Sequence, residues 1–288
     1  MENHAPLATQ VYFENLPCEQ IPDLVQHQLN GSSDPTIVMM STTAHRLFKK
    51  TDMILEAILS ISTKQTVVPD AFLLVLPEYS IVDKEMYRIP GCIKPEWLLK
   101  SCRDYGPATK FIPGIKTFAP YYPSARLISI DDDMHYDPKT IEIFLRYDKE
   151  PASVHWNQSP GSAIITAWID YPGTKSSKTK EPKQGKAPLG VYGYMYQPQF
   201  FDPDHLVWPT ALKKAFYRED DMWFACLAKS LEKKIFVVPG LKHKMIVNCP
   251  LKECLHSKLD DKAARAHLNI RDTCDSGAHL KWEDEYFE

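Results

Sequence analysis

Residues 127–138 read LISIDDDMHYDP, an apolar and β-branched run that ends in three consecutive aspartates, Asp131, Asp132 and Asp133. Two unit charges about 4 Å apart repel by roughly 4 kcal/mol at an effective dielectric near 20, a large share of a domain's stability. Such a cluster needs a counter-charge. Carboxylates gathered at the end of a strand make a hard-oxygen site suited to Mg²⁺ or Mn²⁺, ions that keep several waters and complete their shell with phosphate oxygens. The competing reading is a solvated acidic turn. A second acidic cluster, Glu219-Asp220-Asp221, echoes the first at the head of a helical pattern, where at least one carboxylate can serve as an N-cap.

These residues need a scaffold to hold them. TIVMMST (36–42) is β-branched at its start and stops at small polar residues. TDMILEAILSIS (51–62) follows, with a threonine able to cap it and apolar residues at helical spacing, which makes a strand-then-helix step. AFLLVLPE (71–78) and ARLISIDDD (125–133) are continuous apolar runs of the kind a parallel strand covered on both faces requires. Asp137-Pro138 reads as a helix start for PKTIEIFLRYDKE, with the carboxylate as N-cap and proline in the first helical position. Strands over SAIITAWID (162–170) and KKIFVVP (233–239), with a helix over DMWFACLAKSLEKK (221–234), continue the alternation. The pattern predicts an α/β domain with a mostly parallel central sheet flanked by helices, in which ligands bind beyond the carboxyl ends of strands. Ser41–Thr43 and Asp131–Asp133 sit at two such ends.

The chain has 288 residues, 44% hydrophobic and 25% charged, which is ordinary globular material for which one domain is the expectation. A net charge of −3 and a pI near 6.4 give no source for bulk attraction to nucleic acid or anionic membrane, leaving room only for local patches. The N-terminus lacks a secretory pattern, and no stretch reaches the roughly 18 apolar residues of a membrane span. Seven scattered cysteines without paired CxxC spacing predict reduced thiols and a cytoplasmic protein. Cys249, Cys254 and His256 are a weak zinc pattern, because no second tight pair accompanies them. The stretch GTKSSKTKEPKQGKAP (173–188), lysine-rich and almost devoid of apolar residues, predicts a mobile surface loop that either is a solvated insertion or folds over an anionic ligand.

Five segments in order add a resemblance. They are TIVMMSTTAHRL (36–47), CRDYGPATKFIPGIKTF (102–118), RLISIDDDMHYDPKTIEIFL (126–145), GVYGYMYQPQFFD (190–202) and REDDMWFACLAKSLEKKIFV (218–237). The series resembles family 2-like glycosyltransferases of GT-A fold, with a Thr-Thr-x-x-Arg loop, a GP-x-TK segment, an Asp-x-Asp-type metal motif, a glycine–aromatic segment and a DD-x-W segment. It spans residues 36–240. Residues 1–35 are then an N-terminal extension, 173–188 an insertion, and 241–288 a C-terminal extension packing on the domain.

The resemblance implies transfer of a sugar from a UDP- or GDP-sugar to a hydroxyl of a glycan, lipid or protein acceptor, by an inverting displacement that needs Mn²⁺ or Mg²⁺. It implies Asp131 and Asp133 as metal ligands, Asp131 and Asp132 toward the donor, and Asp220, with Asp221 as alternative, as the base. Ser41, Thr42, Thr43, Arg46, Gly106, Pro107 and Lys110 fall in the donor region, and Gly193, Tyr194 and Trp223 in the acceptor region. Trp223 is equally well read as packing, and one face of the Tyr192, Tyr194, Tyr196 alternation as core. The arginine is preceded here by Ala44-His45, where the family usually has a proline or small residue. Other classes are a non-catalytic nucleotide-sugar or metal-binding protein of this fold and a nucleotidyltransferase. The second would want a glycine- and lysine-rich phosphate loop after the first strand, where TTAHRL stands. A haloacid-dehalogenase-type phosphatase would want a threonine that DDDMH lacks. With no membrane span, a lipid acceptor would be reached peripherally.

Overall fold

The continuous apolar runs become strands buried at every position: β1 (Thr36–Met40) and β2 (Ala71–Leu76) have no exposed residue. This is a computed structural model, and it describes residues 5–149, 163–167, 182–185, 193–206 and 220–246. Helices α1 (Ala5–Asn15) and α2 (Asp23–Leu29) precede β1, and α3 (Ala44–Lys49) and α4 (Thr51–Ser62) separate β1 from β2. A small hairpin, β3 (Tyr79–Ser80) and β4 (Glu85–Met86), leads to β5 (Leu98–Lys100), α5 (Ile112–Phe118) and β6 (Arg126–Ile130). Then come β7 (Met134–Tyr136), α6 (Thr140–Lys149), β8 (Ile164–Ala167), β9 (Lys183–Gly185), β10 (Tyr194–Tyr196), α7 (Asp220–Ser230), β11 (Ile235–Val238) and β12 (His243–Met245).

Eight strands form one sheet in the order β5-β2-β1-β6-β10-β8-β11-β9. Neighbours β5, β2, β1 and β6 are parallel, as are β8 and β11, whereas β10 and β9 run against theirs. The fold class is therefore α/β with a mostly parallel sheet. Alternation along the strands splits the core in two. Ile37, Met39, Leu73, Val75 and Leu127 pack with α2, α5 and α7 on one face. Val38, Met40, Leu74, Ile128 and Ile130 pack with α1, α4 and α6 on the other. The chain thus makes a three-layer sandwich.

Four expectations are corrected. Cys18 and Cys102 are joined in a disulfide rather than reduced. The end of β5 brings them together, since Glu19 donates its backbone N–H to Lys100 O at 2.7 Å, and spacing cannot reveal a pair 84 residues apart. Lys183–Gly185, inside the expected mobile loop, is an edge strand paired with β11; residues 173–181 and 186–188 lie outside the described residues. The helix expected from Asp137-Pro138 starts at Thr140, because Asp137 Oδ1 accepts from Lys139 N at 3.0 Å and closes a turn first. Helices α1 and α2 do not stand apart as an extension: Phe13, Val25 and Leu29 are buried in the two cores. Cys249, Cys254 and His256 lie outside the described residues, as do Tyr192 and Glu219. Among the described residues no helix is long and apolar enough to cross a membrane.

Candidate functional site

The chain order leaves β1 toward β2 on one side and later returns to β6 on the other, so β1 and β6 flank the point where strand order reverses, the usual place for a ligand crevice. Parallel register from Thr36↔Arg126 to Met40↔Ile130 sets the tips of the two strands side by side. Ser41, Thr42 and Thr43 leave one tip and Asp131, Asp132 and Asp133 the other.

Thr43 ends the β1 loop in an extended conformation and caps α3, its hydroxyl accepting from Arg46 N at 3.3 Å. The cap starts α3 where Arg46 can reach across. Its guanidinium meets Asp132 Oδ1 at 2.6 Å and Asp133 Oδ2 at 3.6 Å. Thr42 donates its hydroxyl to the other oxygen of Asp132 at 2.5 Å, and Tyr87 Oη holds the loop by donating to Thr42 O at 2.7 Å. Ser41 is half-buried at the same tip.

A 3₁₀ turn over Gly106–Lys110 carries the GPATK segment, with Pro107 in its first turn and Gly106 at φ +59°. That left-handed backbone suits glycine. Asp104 fixes the turn by accepting from Gly106 N at 2.7 Å. The turn delivers Lys110 into the interior, where its Nζ lies 2.6 Å from Asp131 Oδ1 and 2.9 Å from Asp220 Oδ2. Burial pushes the Lys110 ammonium down, but Asp131 and Asp220 outweigh it and hold it well above the ordinary lysine value. Lys110 is therefore charged, and it joins the two acidic clusters through one atom. Asp220 Oδ2 receives no well-aligned hydrogen bond, so its 2.9 Å contact with Lys110 is chiefly electrostatic.

The carboxylates outnumber these cations. Asp131, Asp132, Asp133 and Asp220 face Arg46 and Lys110, four against two. The excess falls on Asp133: burial, then Asp132 and Asp131, push its carboxyl up to about 6, against the pull of Arg46. Tyr136 grips the backbone of Asp131, its hydroxyl accepting from Asp131 N at 2.9 Å and donating toward Asp131 O at 3.3 Å.

The expected acceptor residues divide. Gly193 sits at φ +81°, where a Cβ would come within 3.2 Å of Ile130 Cγ2 and Ser129 O, so the backbone packs against β6 as only glycine allows. Tyr194 and Tyr196 are fully buried, which leaves no ring face open to a sugar. The Tyr194 hydroxyl has no hydrogen-bond partner among the described residues, although its ring centre is 5.9 Å from Lys110 Nζ. Burial and Asp220 together hold that phenol protonated. Trp223 is buried and stacks on Phe111 at 5.4 Å, so packing is its role. Asp221 is half-buried at the start of α7 beside Asp220.

Sequence reasoning missed His243. β12 pairs antiparallel with β7, opposing His243 to Tyr136, and Ile246 N donates to Asp133 O at 3.0 Å. Burial lowers the proton affinity of His243 while Asp131 works against it, so the imidazole senses the aspartate cluster. A lone histidine in KHKMIV carries no local signal of this, since the pairing partner lies over a hundred residues earlier. Tyr136 was closer to legible, because it alternates with Met134 beyond the aspartates.

Among the described residues no group of three or more His, Cys, Asp or Glu side chains is gathered to hold a cation. The donor chemistry nonetheless fits a divalent ion: the oxygens are hard, Asp133 has only the longer 3.6 Å contact with Arg46 against it, and Asp131 is held by Lys110. No protein-family model matches the chain, and no curated protein matches it.

Proposed function

We propose that the chain is a metal-dependent glycosyltransferase of GT-A type, moving a sugar from a UDP- or GDP-sugar to an acceptor hydroxyl with inversion. The observation that carries the reading is Lys110, which holds Asp131 and Asp220 at 2.6 and 2.9 Å and so unites two acidic clusters in one site. Transfer needs both kinds of carboxylate within the length of a substrate.

Asp131 and Asp133 would hold Mn²⁺ or Mg²⁺, which as a Lewis acid offsets the charge that builds on a departing diphosphate. Arg46, in α3 and turned toward Asp132 and Asp133, would offer the same phosphates charge-assisted hydrogen bonds. Thr42 and Arg46 fix Asp132, leaving it to orient the donor rather than to move. Asp220 accepts the proton of the attacking hydroxyl, with Asp221 as the alternative base. Asp220 lies in the first turn of α7 with Lys110 2.9 Å away, so to act as the base it would have to exchange that contact for the acceptor hydroxyl.

One observation favours the non-catalytic binder of the same fold: Asp220 is buried and already occupied by Lys110. Turnover separates the two. Incubation with UDP- and GDP-sugars and Mn²⁺ should release free nucleotide slowly even into water, and Asp220→Asn should cut that rate at least about 100-fold while leaving nucleotide affinity nearly unchanged. Equal rates in both proteins would remove the base assignment. The Cys18–Cys102 bond favours an oxidising compartment over the cytoplasm expected from cysteine spacing.

A further inference from the structure

The Cys18–Cys102 disulfide lies at the surface. It joins the segment between α1 and α2 to the segment just after β5, with Cys102 exposed and Cys18 half-buried. Together with Glu78, Lys100 and Ser101 the two cysteines line a cavity of about 170 Å³, so a small thiol can reach the sulfurs of the folded protein. Exposed disulfides are the exchangeable ones, whereas a bond shut inside a core opens only with the fold. Charge in the cavity does not bias the exchange, because the Lys100 ammonium is paired with Glu78.

Backbone strain sits beside the bond. Glu19, which follows Cys18, adopts φ +52°, a left-handed conformation that a residue other than glycine keeps only where its surroundings hold it. Three things hold it: the disulfide, the bond from its own N–H to Lys100 O at 2.7 Å, and its carboxylate, which accepts from Tyr105 Oη at 3.1 Å and lies 3.7 Å from Lys116 Nζ. Tyr105 is also the residue from which the 3₁₀ turn over Gly106–Lys110 starts, and its N–H donates to Thr109 Oγ1 at 2.9 Å within that turn. Contacts thus run from the disulfide through Glu19 and Tyr105 to the turn that delivers Lys110 to Asp131 and Asp220.

We propose that Cys18–Cys102 is a redox-sensitive latch on the Lys110 turn, opened by a dithiol reductant. A thiolate of the reductant attacks the exposed Cys102 Sγ, the sulfur–sulfur bond breaks, and the Cys18 sulfur leaves as a thiolate and takes a proton. The second thiol of the reductant, as thiolate, then displaces Cys102 from the mixed disulfide, and Cys102 takes a proton in turn. Two electrons and two protons pass from the dithiol, which ends as a disulfide, to the cysteine pair. Opening lets Glu19 leave its strained backbone and give up Tyr105, so the turn slackens and Lys110 holds Asp131 and Asp220 less firmly. The latch is closed in an oxidising compartment and opens where dithiols prevail.

The test is a redox titration of the full chain, without denaturant, in buffers of stepped ratios of reduced to oxidised dithiothreitol. Alkylation and peptide mass analysis read the fraction of Cys18 and Cys102 present as thiols, and circular dichroism in the same buffers reports the fold. Both cysteines should open together while the protein stays folded. Coupling between the bond and Lys110 is reciprocal, so weakening the Lys110 contacts must ease the opening. Lys110→Met and Asp220→Asn, neither of which touches the sulfurs, should each lower the ratio needed for half-reduction by at least about threefold. Asp220→Asn carries this arm if Lys110→Met does not fold. A bond that opens only as the protein unfolds, or a smaller shift in either folded variant, would overturn the proposal and leave the disulfide a plain clamp. None of these results depends on whether the site transfers sugar.

Discussion

The two acidic clusters solve the same electrostatic problem in different ways. At Asp131–Asp133 three carboxylates on a strand tip share Arg46 and part of Lys110, and one of them, Asp133, is left with its carboxyl raised to about 6. At Asp220 a single buried carboxylate has Lys110 opposite it and the start of α7 behind it. The first cluster has Arg46 and a shared Lys110 among three carboxylates; at the second, Asp220 faces that same Lys110 with Asp221 beside it. A cluster of hard oxygens short of counter-charge suits a cation, whereas a carboxylate facing a lysine must be released from it before it can take a proton. On the proposed reading the first cluster would hold the cation and the second would supply the base, and the difference in their surroundings is what would separate the two roles.

The sharpest way to break it is to delete one carboxylate from each side. Asp133→Ala should lower metal-dependent nucleotide affinity by about 100-fold, whereas Asp220→Asn should leave it within about threefold and act on turnover instead, as titration calorimetry and nucleotide-release assays would report. Equal effects on binding would erase the distinction.

Lys110→Met tests the link between the clusters. It leaves Asp131 and Asp220 buried without their shared cation, so the metal-free protein should lose about 3 to 5 kcal/mol, read as a fall in thermal midpoint. The same change frees Asp131, so added Mn²⁺ should restore more stability to the variant than to wild type. Restoration no larger than in wild type would mean that Lys110 and the ion do not compete.

Asp133→Asn should do the opposite in the absence of metal. A carboxyl raised from 3.8 to about 6 in the fold is a group the native state prefers protonated, so its ionisation costs nothing below about pH 4 and costs fully above about pH 6. At pH 7.5 the variant should therefore be more stable than wild type by about 2 kcal/mol, with the advantage fading as pH falls from 6 toward 4. Thermal melts across that range check the sign, and a destabilised variant at pH 7.5 would show that Asp133 is already compensated. The smallest effect is expected at Thr43→Ala, which removes the α3 cap and should cost about 1 kcal/mol while loosening Arg46.

Much of this geometry was legible in the sequence, and what was not has a physical reason. Continuous apolar runs located β1, β2, β6, β8 and β11, because strands buried on both faces leave no other reading once they are short and bounded by turns. Their carboxyl tips placed Thr42 and Asp131–Asp133 together, since parallel neighbours must end on the same side. The tyrosine alternation at 192–196 marked β10 but not its antiparallel direction, and the edge strand β9 in a lysine-rich stretch and the His243 strand were not legible, because each depends on a partner far away rather than on its own composition. The Cys18–Cys102 bond failed for the same reason. Lys110 shows the limit most plainly: a lysine after GPAT suggested a contact to the donor, and only the fold reveals that it faces two aspartates already.

The central claim is that these clusters form one nucleotide-sugar site completed by a divalent ion. Isothermal titration of UDP and GDP, with and without Mn²⁺, on wild type and Asp133→Ala tests it most directly. The account predicts that one nucleotide binds wild type in a Mn²⁺-dependent way and that Asp133→Ala abolishes the dependence. Binding of neither nucleotide under any condition, or binding indifferent to Mn²⁺ and to Asp133, would contradict it and return the three aspartates to a turn held by Arg46 and Lys110.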